Sequence, residues 1–385
     1  MHNKQGKIYL IDTTLRDGEQ APGVSFTLEE KLKIASLLNE LGIDEVEAGT
    51  PAIGSEEQQS IKAIATAGFR FKTSSWCRAK EQDIKQAAKL GTDAINISLP
   101  ASDIQINALG KNRAWILNET RKMVAIAKDC FPHVTMGAQD GTRSEESFLH
   151  EFISFAIDSG ADRVRVSDTV GCCDPIEIHA LFSKLTRSFP EVEFEIHAHN
   201  DLGMATANTI AAIKAGAKCA SATVNGLGER AGNAVIEELV AYVNSRLIIN
   251  NYQTKKLGLL SDIVAKLSNR KLPENKPVTG SSAYKHESGI HTSALIKNRE
   301  TYQFLNPVDF GLNGLSFTFG KHSGSASIQE LFIRKNIATD ELTMQNLLFI
   351  VKNRAINRKS ALSEEEVLEI FFEMLGNKTK FEARR

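Results

Sequence analysis

The sequence predicts an α/β protein built on a (β/α)8 TIM barrel, followed by a linker and a small, mainly helical C-terminal region. Two observations carry that prediction. Short apolar runs alternate eight times with longer amphipathic stretches over the first 250 residues, and eight strand–helix units in about 250 residues are the size of such a barrel. Helix-ending glycines recur at Gly42, Gly68, Gly91, Gly160 and Gly216, several with a strand two or three residues further on. A doubly wound open sheet would use the same units, but it needs a reversal of strand order that a sequence does not display.

In order, strands are expected over 8–12, 45–49, 69–75, 94–99, 133–139, 163–168, 193–199 and 219–225. Helices are expected over 28–41, 56–67, 83–90, 113–129, 145–159, 175–188, 204–215 and 235–249. Beyond residue 250 the alternation stops. A helix over 257–269 leads into a stretch bearing proline and glycine over 271–282, and two further helices follow over 339–353 and 363–375. The last opens on a capping box, Ser363 with Glu366. The expected division is a catalytic barrel over 1–250, a linker subdomain over 251–290 and a helical region over 291–385, with a charged, frayed segment at 378–385.

Composition narrows the function classes. The chain has 385 residues, 42% hydrophobic and 24% charged, enough for a substantial core. A net charge of −1 gives no electrostatic footprint for nucleic acid. No apolar run reaches the roughly 18–20 residues of a membrane span, and the polar N-terminus does not resemble a signal peptide. The five cysteines are odd in number and lack framework spacing, which points to reduced thiols and a cytoplasmic location. Cys172 and Cys173 are adjacent, but no Cys-x-x-Cys spacing supports redox catalysis.

Reactive groups of a TIM barrel sit at the C-terminal ends of its strands. After strand one comes Asp12-Thr13-Thr14-Leu15-Arg16-Asp17-Gly18-Glu19-Gln20, dense in charge for a connecting loop. Strand seven ends in His197-Ala198-His199-Asn200-Asp201, and side chains two apart on a strand share a face. Two imidazoles with Asp17 suit Zn2+, Mn2+ or Fe2+; a hydrogen-bonded structural pair is the alternative for the histidines. Strand eight leads into Asn225-Gly226-Leu227-Gly228-Glu229-Arg230-Ala231-Gly232-Asn233, where Asn233 could add an oxygen to the metal. Thr169 could bind a substrate carboxylate or cap the next helix. Arg143 could clamp a carboxylate in a two-pronged contact or lie solvated.

These three long motifs, in this order, resemble the 2-isopropylmalate synthase and homocitrate synthase family over roughly residues 8–324. The resemblance extends to His286-Glu287-Ser288-Gly289-Ile290-His291 and Gly320-Lys321-His322-Ser323-Gly324, and the stretches 14–26 and 199–233 are similar to the short homocitrate synthases associated with nitrogen fixation. It implies a divalent metal ion (Mg2+, Mn2+ or Zn2+), acetyl-CoA as co-substrate, a 2-oxo acid acceptor and a homodimer. The metal ligands would be Asp17, His197, His199 and Asn233. Arg16 would stabilise the developing alkoxide, with Glu19 near the base, and Thr169 would hold the acceptor carboxylate. His291 and Tyr302 of a partner subunit would serve the acetyl-CoA side. The expected acceptor is 2-oxoglutarate, giving homocitrate, with Arg143 on its distal carboxylate; 2-oxoisovalerate or pyruvate is the alternative. Two positions depart from the family: Gln139-Asp140 replaces a common Glu-Asp, and Gln105 stands where histidine is frequent.

Overall fold

The structure, a computed structural model, describes residues 7–247 and 252–382, with side chains up to Gly376. The predicted barrel is present. Strands β1 (Tyr9–Asp12), β2 (Glu45–Gly49), β3 (Lys72–Arg78), β4 (Ala94–Pro100), β5 (His133–Gln139), β6 (Arg163–Asp168), β7 (Glu193–Ala198) and β8 (Cys219–Ala222) pair in parallel in chain order. β1 pairs with both β2 and β8, which closes the ring and leaves no free edge.

The helices between them are α1 (Leu28–Leu41), α2 (Ser55–Thr66), α3 (Glu81–Ala87), α4 (Asp103–Ala108), α5 (Arg113–Lys128), α6 (Glu146–Asp158), α7 (Pro175–Ser188), α8 (Ala205–Lys214) and α9 (Ile236–Tyr242). Local chemistry explains their limits. Thr27 and Glu30 form a capping box at the start of α1, and Gly42 ends it in the left-handed region at φ 83°. Asp174 and Glu177 do the same for α7, with Pro175 in the first turn.

Several elements differ from expectation. β3 lies three residues later than predicted: Phe69 and Phe71 read as strand residues but stack on each other, centroids 5.0 Å apart, in the connection before it. β8 stops at Ala222, because Thr223 bridges to Val235 and Asn225 turns left-handed at φ 61°. The six-residue α4, capped by Ser102, is too short to show a periodicity. α9 passes into a π turn, Val243–Leu247; its expected end at Ile249 and the expected domain division at 250 lie outside the described residues. The chain forms two compact units that meet in sequence between Leu272 and Pro273, with α10 (Leu257–Leu267), packed on α1, in the first.

Charge fills the barrel interior. Glu45 and Glu47 on β2, Arg163 and Arg165 on β6, and Glu195 on β7 are almost fully buried. Arg163 lies 3.1 Å from Glu45 and 3.6 Å from Glu195; Arg165 lies 2.6 Å from Glu195 and 3.0 Å from Glu47. Glu47 also takes Arg16 at 2.9 Å, so the ladder climbs from the interior to the loop after β1.

The second unit has its own core of Phe319, Leu331, Phe332, Leu347, Val351 and Phe371. It comprises a two-stranded parallel sheet of β9 (Lys285–His286) and β10 (Ser316–Phe317) with α11 (Gly289–Lys297), α12 (Ser325–Arg334), α13 (Glu341–Arg358) and α14 (Glu364–Glu382). α11 and α12 were not anticipated, and α14 runs past the expected stop at 375. No helix among the described residues is long and apolar enough to cross a membrane.

Burial alone would raise the Glu47 carboxyl, but Arg16 and Arg165 outweigh it and bring it down to about 2 from 4.5. A depressed carboxyl contributes stability above its unfolded value and loses it as pH falls through the folded one. The unfolding free energy should therefore drop as pH is lowered from about 4.5 towards 2, and Glu47→Gln should flatten that part of the profile while lowering stability at pH 7 by ~3–5 kcal/mol. Urea unfolding followed by circular dichroism checks both; a variant as stable as the parent at pH 7 would refute the ladder's role.

Candidate functional site

The loop after β1 turns tightly, since the amides of Arg16, Asp17 and Gly18 all donate to the Thr13 carbonyl. That turn sets Arg16 and Asp17 over the barrel mouth. Arg16 donates through Nε to Glu47 (2.9 Å) and through Nη1 to Asp17 Oδ1 (2.9 Å), and its guanidinium carbon lies 5.5 Å from the Trp76 ring centre. Across the mouth, His197 and His199 stand edge to face with centroids 5.0 Å apart. Asp17 Oδ2 and His197 Nε2 are 3.3 Å apart.

Hydrogen bonds assign the imidazole tautomers. Ser221 Oγ donates to the Ile196 carbonyl, so towards His197 Nδ1, 2.8 Å away, it accepts. His199 Nδ1 faces the Gly232 carbonyl at 3.3 Å, which can only accept. Both rings therefore carry hydrogen on Nδ1 and present bare Nε2 lone pairs. Burial holds both neutral: it lowers His197, and it brings His199 down to about 4 with His197 adding to the effect. Burial opposes ionisation of Asp17, yet the adjacent Arg16 guanidinium holds it well below the usual carboxylate range. Asp17 Oδ2 and Asn233 Oδ1 are buried with no hydrogen-bond partner among the described residues. The ligand atoms of Asp17, His197 and His199 lie within 4.8 Å of one another, and an antiparallel bridge to His199 brings in Asn233, whose Nδ2 is held by the Leu227 carbonyl at 3.0 Å. Lone pairs that face one another in a buried space, with an ionised carboxylate, are the donor set of a divalent cation.

The other predicted residues fall as follows. Thr169 Oγ1 accepts from the Asp140 amide at 2.8 Å. Arg143 grips Asp140 through Nε (2.9 Å) and Nη2 (2.7 Å), while its Nη1 has no hydrogen-bond partner among the described residues. Glu19 accepts from the Phe26 amide and pairs with Lys31, which is 1% exposed and also pairs with Glu57. His291 and Tyr302 meet each other in the second unit, rings stacked at 4.0 Å. Gln139 ends β5, where its carbonyl takes the Ala101 amide, and the Gln105 backbone amide donates to the capping Ser102 hydroxyl.

Sequence reasoning missed several supports. Glu47 and Trp76 flank Arg16, and Ser221 sets the His197 tautomer. Arg230 donates to the Thr169 carbonyl (2.7 Å) and forks onto Asp201 (2.8 and 3.0 Å), tying together the loops after β6, β7 and β8. The signal for Glu47 was present, since Glu45-Val46-Glu47 mirrors Arg163-Val164-Arg165 at strand spacing.

Residues 7–264 match the HMGL-like family. The chain belongs to that family. Residues 278–359 match the homocitrate synthase post-HMGL domain-like family. The chain is similar to 2-isopropylmalate synthase 2 of Caldanaerobacter subterraneus subsp. tengcongensis, 39% identical with 97% of each chain covered. It is equally similar to homocitrate synthase 1 of Nostoc sp., 39% identical over 94% of this chain and 97% of the relative. It is thus an enzyme of the isopropylmalate and homocitrate synthase family, an acyltransferase of the acetyl-CoA-condensing type. Hydroxymethylglutaryl-CoA lyase from Pseudomonas aeruginosa shares the fold, with a TM-score of 0.62 at 18% identity over 70% of this chain and 96% of that one.

Gly232 orients the site through its backbone: at φ 91°, a Cβ there would meet the Gly226 carbonyl oxygen at 1.9 Å. Gly23, at φ 80°, has nothing within 4 Å. Gly232→Ala should destabilise by well over ~1 kcal/mol, whereas Gly23→Ala should show only the conformational cost of about that size. Equal losses in urea unfolding would show that the 226–233 loop is not constrained as described.

Proposed function

We propose that the chain condenses acetyl-CoA with 2-oxoglutarate to give homocitrate and CoA, with a divalent metal ion at Asp17, His197, His199 and Asn233. The observation that carries the metal is the convergence of two Nδ1-protonated, neutral histidines on an ionised Asp17 whose Oδ2 has no hydrogen-bond partner among the described residues. Bound there, the cation supplies Lewis-acid polarisation of the acceptor ketone. Arg16, locked by Glu47 and Asp17, adds fixed positive charge where the alkoxide develops and needs no reorganisation to do so. The Thr169 hydroxyl binds the carboxylate beside the ketone. A cavity of about 480 Å³ beside Arg16, lined by Ser25, Phe26, Thr50 and Ile53 among others, offers room for the acetyl-CoA arm. His291, stacked on Tyr302, takes the proton from the acetyl methyl group, acting from a partner subunit of a homodimer. Glu19, with both oxygens engaged, braces the loop.

For the acceptor, the second-unit match and the Nostoc relative favour homocitrate as product, and the free Nη1 of Arg143 suits a distal carboxylate. Chelation should abolish CoA release, and added Mg2+, Mn2+ or Zn2+ should restore it; full activity in metal-stripped protein would discard the metal. In a thiol-release assay across 2-oxo acids, 2-oxoglutarate should be turned over best. Arg143→Ala should lower kcat/KM for 2-oxoglutarate by about 10–100-fold and for 2-oxoisovalerate much less, since a charge-assisted contact contributes ~1.5–3 kcal/mol. Preference for 2-oxoisovalerate in the parent enzyme would replace homocitrate by 2-isopropylmalate, and equal losses for both acids would remove Arg143 from the distal end.

A further inference from the structure

The loop from β6 to α7 carries a donor set that the condensation does not use. Asp168 ends β6 and is fully buried; Cys172 and Cys173 follow four and five residues on. One carboxylate oxygen and the two Sγ atoms lie within 4.8 Å of one another, close enough for one ion to reach all three.

The loop is built to hold that arrangement. Asp168 Oδ1 accepts from the Cys172 amide (3.1 Å) and Thr142 Oγ1 (3.0 Å), and Oδ2 accepts from the Cys173 amide (3.3 Å). These bonds fold both cysteines back over the carboxylate, and Oδ2, with a single donor, keeps a lone pair. The Cys172 thiol lies 3.6 Å from Oδ1. Gly171 makes the turn at φ 56°; any Cβ there would sit 2.7 Å from the Asp201 amide nitrogen and 2.8 Å from the His199 carbonyl oxygen. Asn208 fixes the far side, its Nδ2 donating to the Cys173 carbonyl at 2.8 Å, while its buried Oδ1 has no hydrogen-bond partner among the described residues. Cys172 is exposed, which leaves an entry from solvent. Cys77, Cys130 and Cys219 belong to no such cluster among the described residues.

Sulfur donors select by softness. Two thiolates with a carboxylate favour Zn2+, Cd2+ or Co2+ and discriminate against Mg2+. Binding releases two protons, M2+ plus two thiols giving a dithiolate complex, with no change in oxidation state, and solvent at the Cys172 side completes the coordination. We propose that Asp168, Cys172 and Cys173 form a second metal site, selective for thiophilic divalent cations, whose occupation restrains the loop bearing Thr169. The restraint matters because Thr169 follows Asp168 directly and is already tied to Asp140 and Arg230. The site itself stands apart from the proposed reaction; its effect on turnover rests on Thr169 holding the acceptor.

The test uses the full chain in saturating Mg2+, titrated with Co2+ and, separately, Cd2+. Near-ultraviolet sulfur-to-metal charge-transfer absorption should grow to saturation at one ion per chain. Cys172→Ser/Cys173→Ser should lose that absorption and retain Mg2+-supported turnover. Cys172→Ser, at an exposed position, supplies the same comparison should the double variant misfold. Cd2+ should raise the acceptor KM several-fold in the parent and leave it unchanged in the variants. Absence of the absorption in the parent, or its persistence in the variants, overturns the site. Absorption with an unchanged KM overturns the restraint on the loop. A parent that binds Co2+ through sulfur but does not turn over 2-oxoglutarate would leave the site standing and discard the acceptor assigned above.

Discussion

Three carboxylates and three guanidinium groups share the inside of this barrel, and their mutual pairing is the constraint on which the mouth depends. Isolated ions could not be buried there, because each would cost several kcal/mol in lost hydration. The arrangement is tolerable only because Glu45, Glu47 and Glu195 are interleaved with Arg163, Arg165 and Arg16. Arg16 is both the top of that ladder and the cation beside Asp17 at the barrel mouth. Its position is thus fixed from below, by an interior that cannot shift without uncovering a charge.

The same logic governs the histidines. Ser221 and the Gly232 carbonyl each engage an Nδ1 atom, and so decide which nitrogen is left bare and where it points. Neither group would touch a ligand. The demanding geometry lies in the glycine turns at Gly226 and Gly232, both at positive φ, and at Gly232 a side chain does not fit.

The barrel was legible because strand and helix periods alternate eight times and because capping residues mark the helix starts. The residues that converge at the mouth were legible because charged groups are rare at strand ends unless used. Less visible was anything that depends on a partner remote in sequence. Glu47 meets Arg165 over 118 residues, and a charged pair two apart on a strand reads equally well as a solvated face. The shift of β3 has a similar origin: aromatic residues favour strands, but Phe69 and Phe71 found each other first. In the second unit, α11 and α12 follow glycine-rich motifs with no cap of their own, so neither start was marked.

Arg230 ties the loops after β6, β7 and β8 into one belt, and that belt divides the mouth into unequal halves. One half, holding His197, His199 and Asn233, is cross-linked by its own backbone and has little freedom to vary. The other, on the side of β3, β4 and β5, is joined through exchangeable side chains: Trp76 donates to Ser98, Ser102 and Arg143 both donate to Asp140, and Ser144 donates to the Ala101 carbonyl. Diversification within such a scaffold would follow that division: the half bearing His197, His199 and Asn233 would stay constant across descendants, and a new acceptor would be acquired by exchanging residues on β3, β4 and β5.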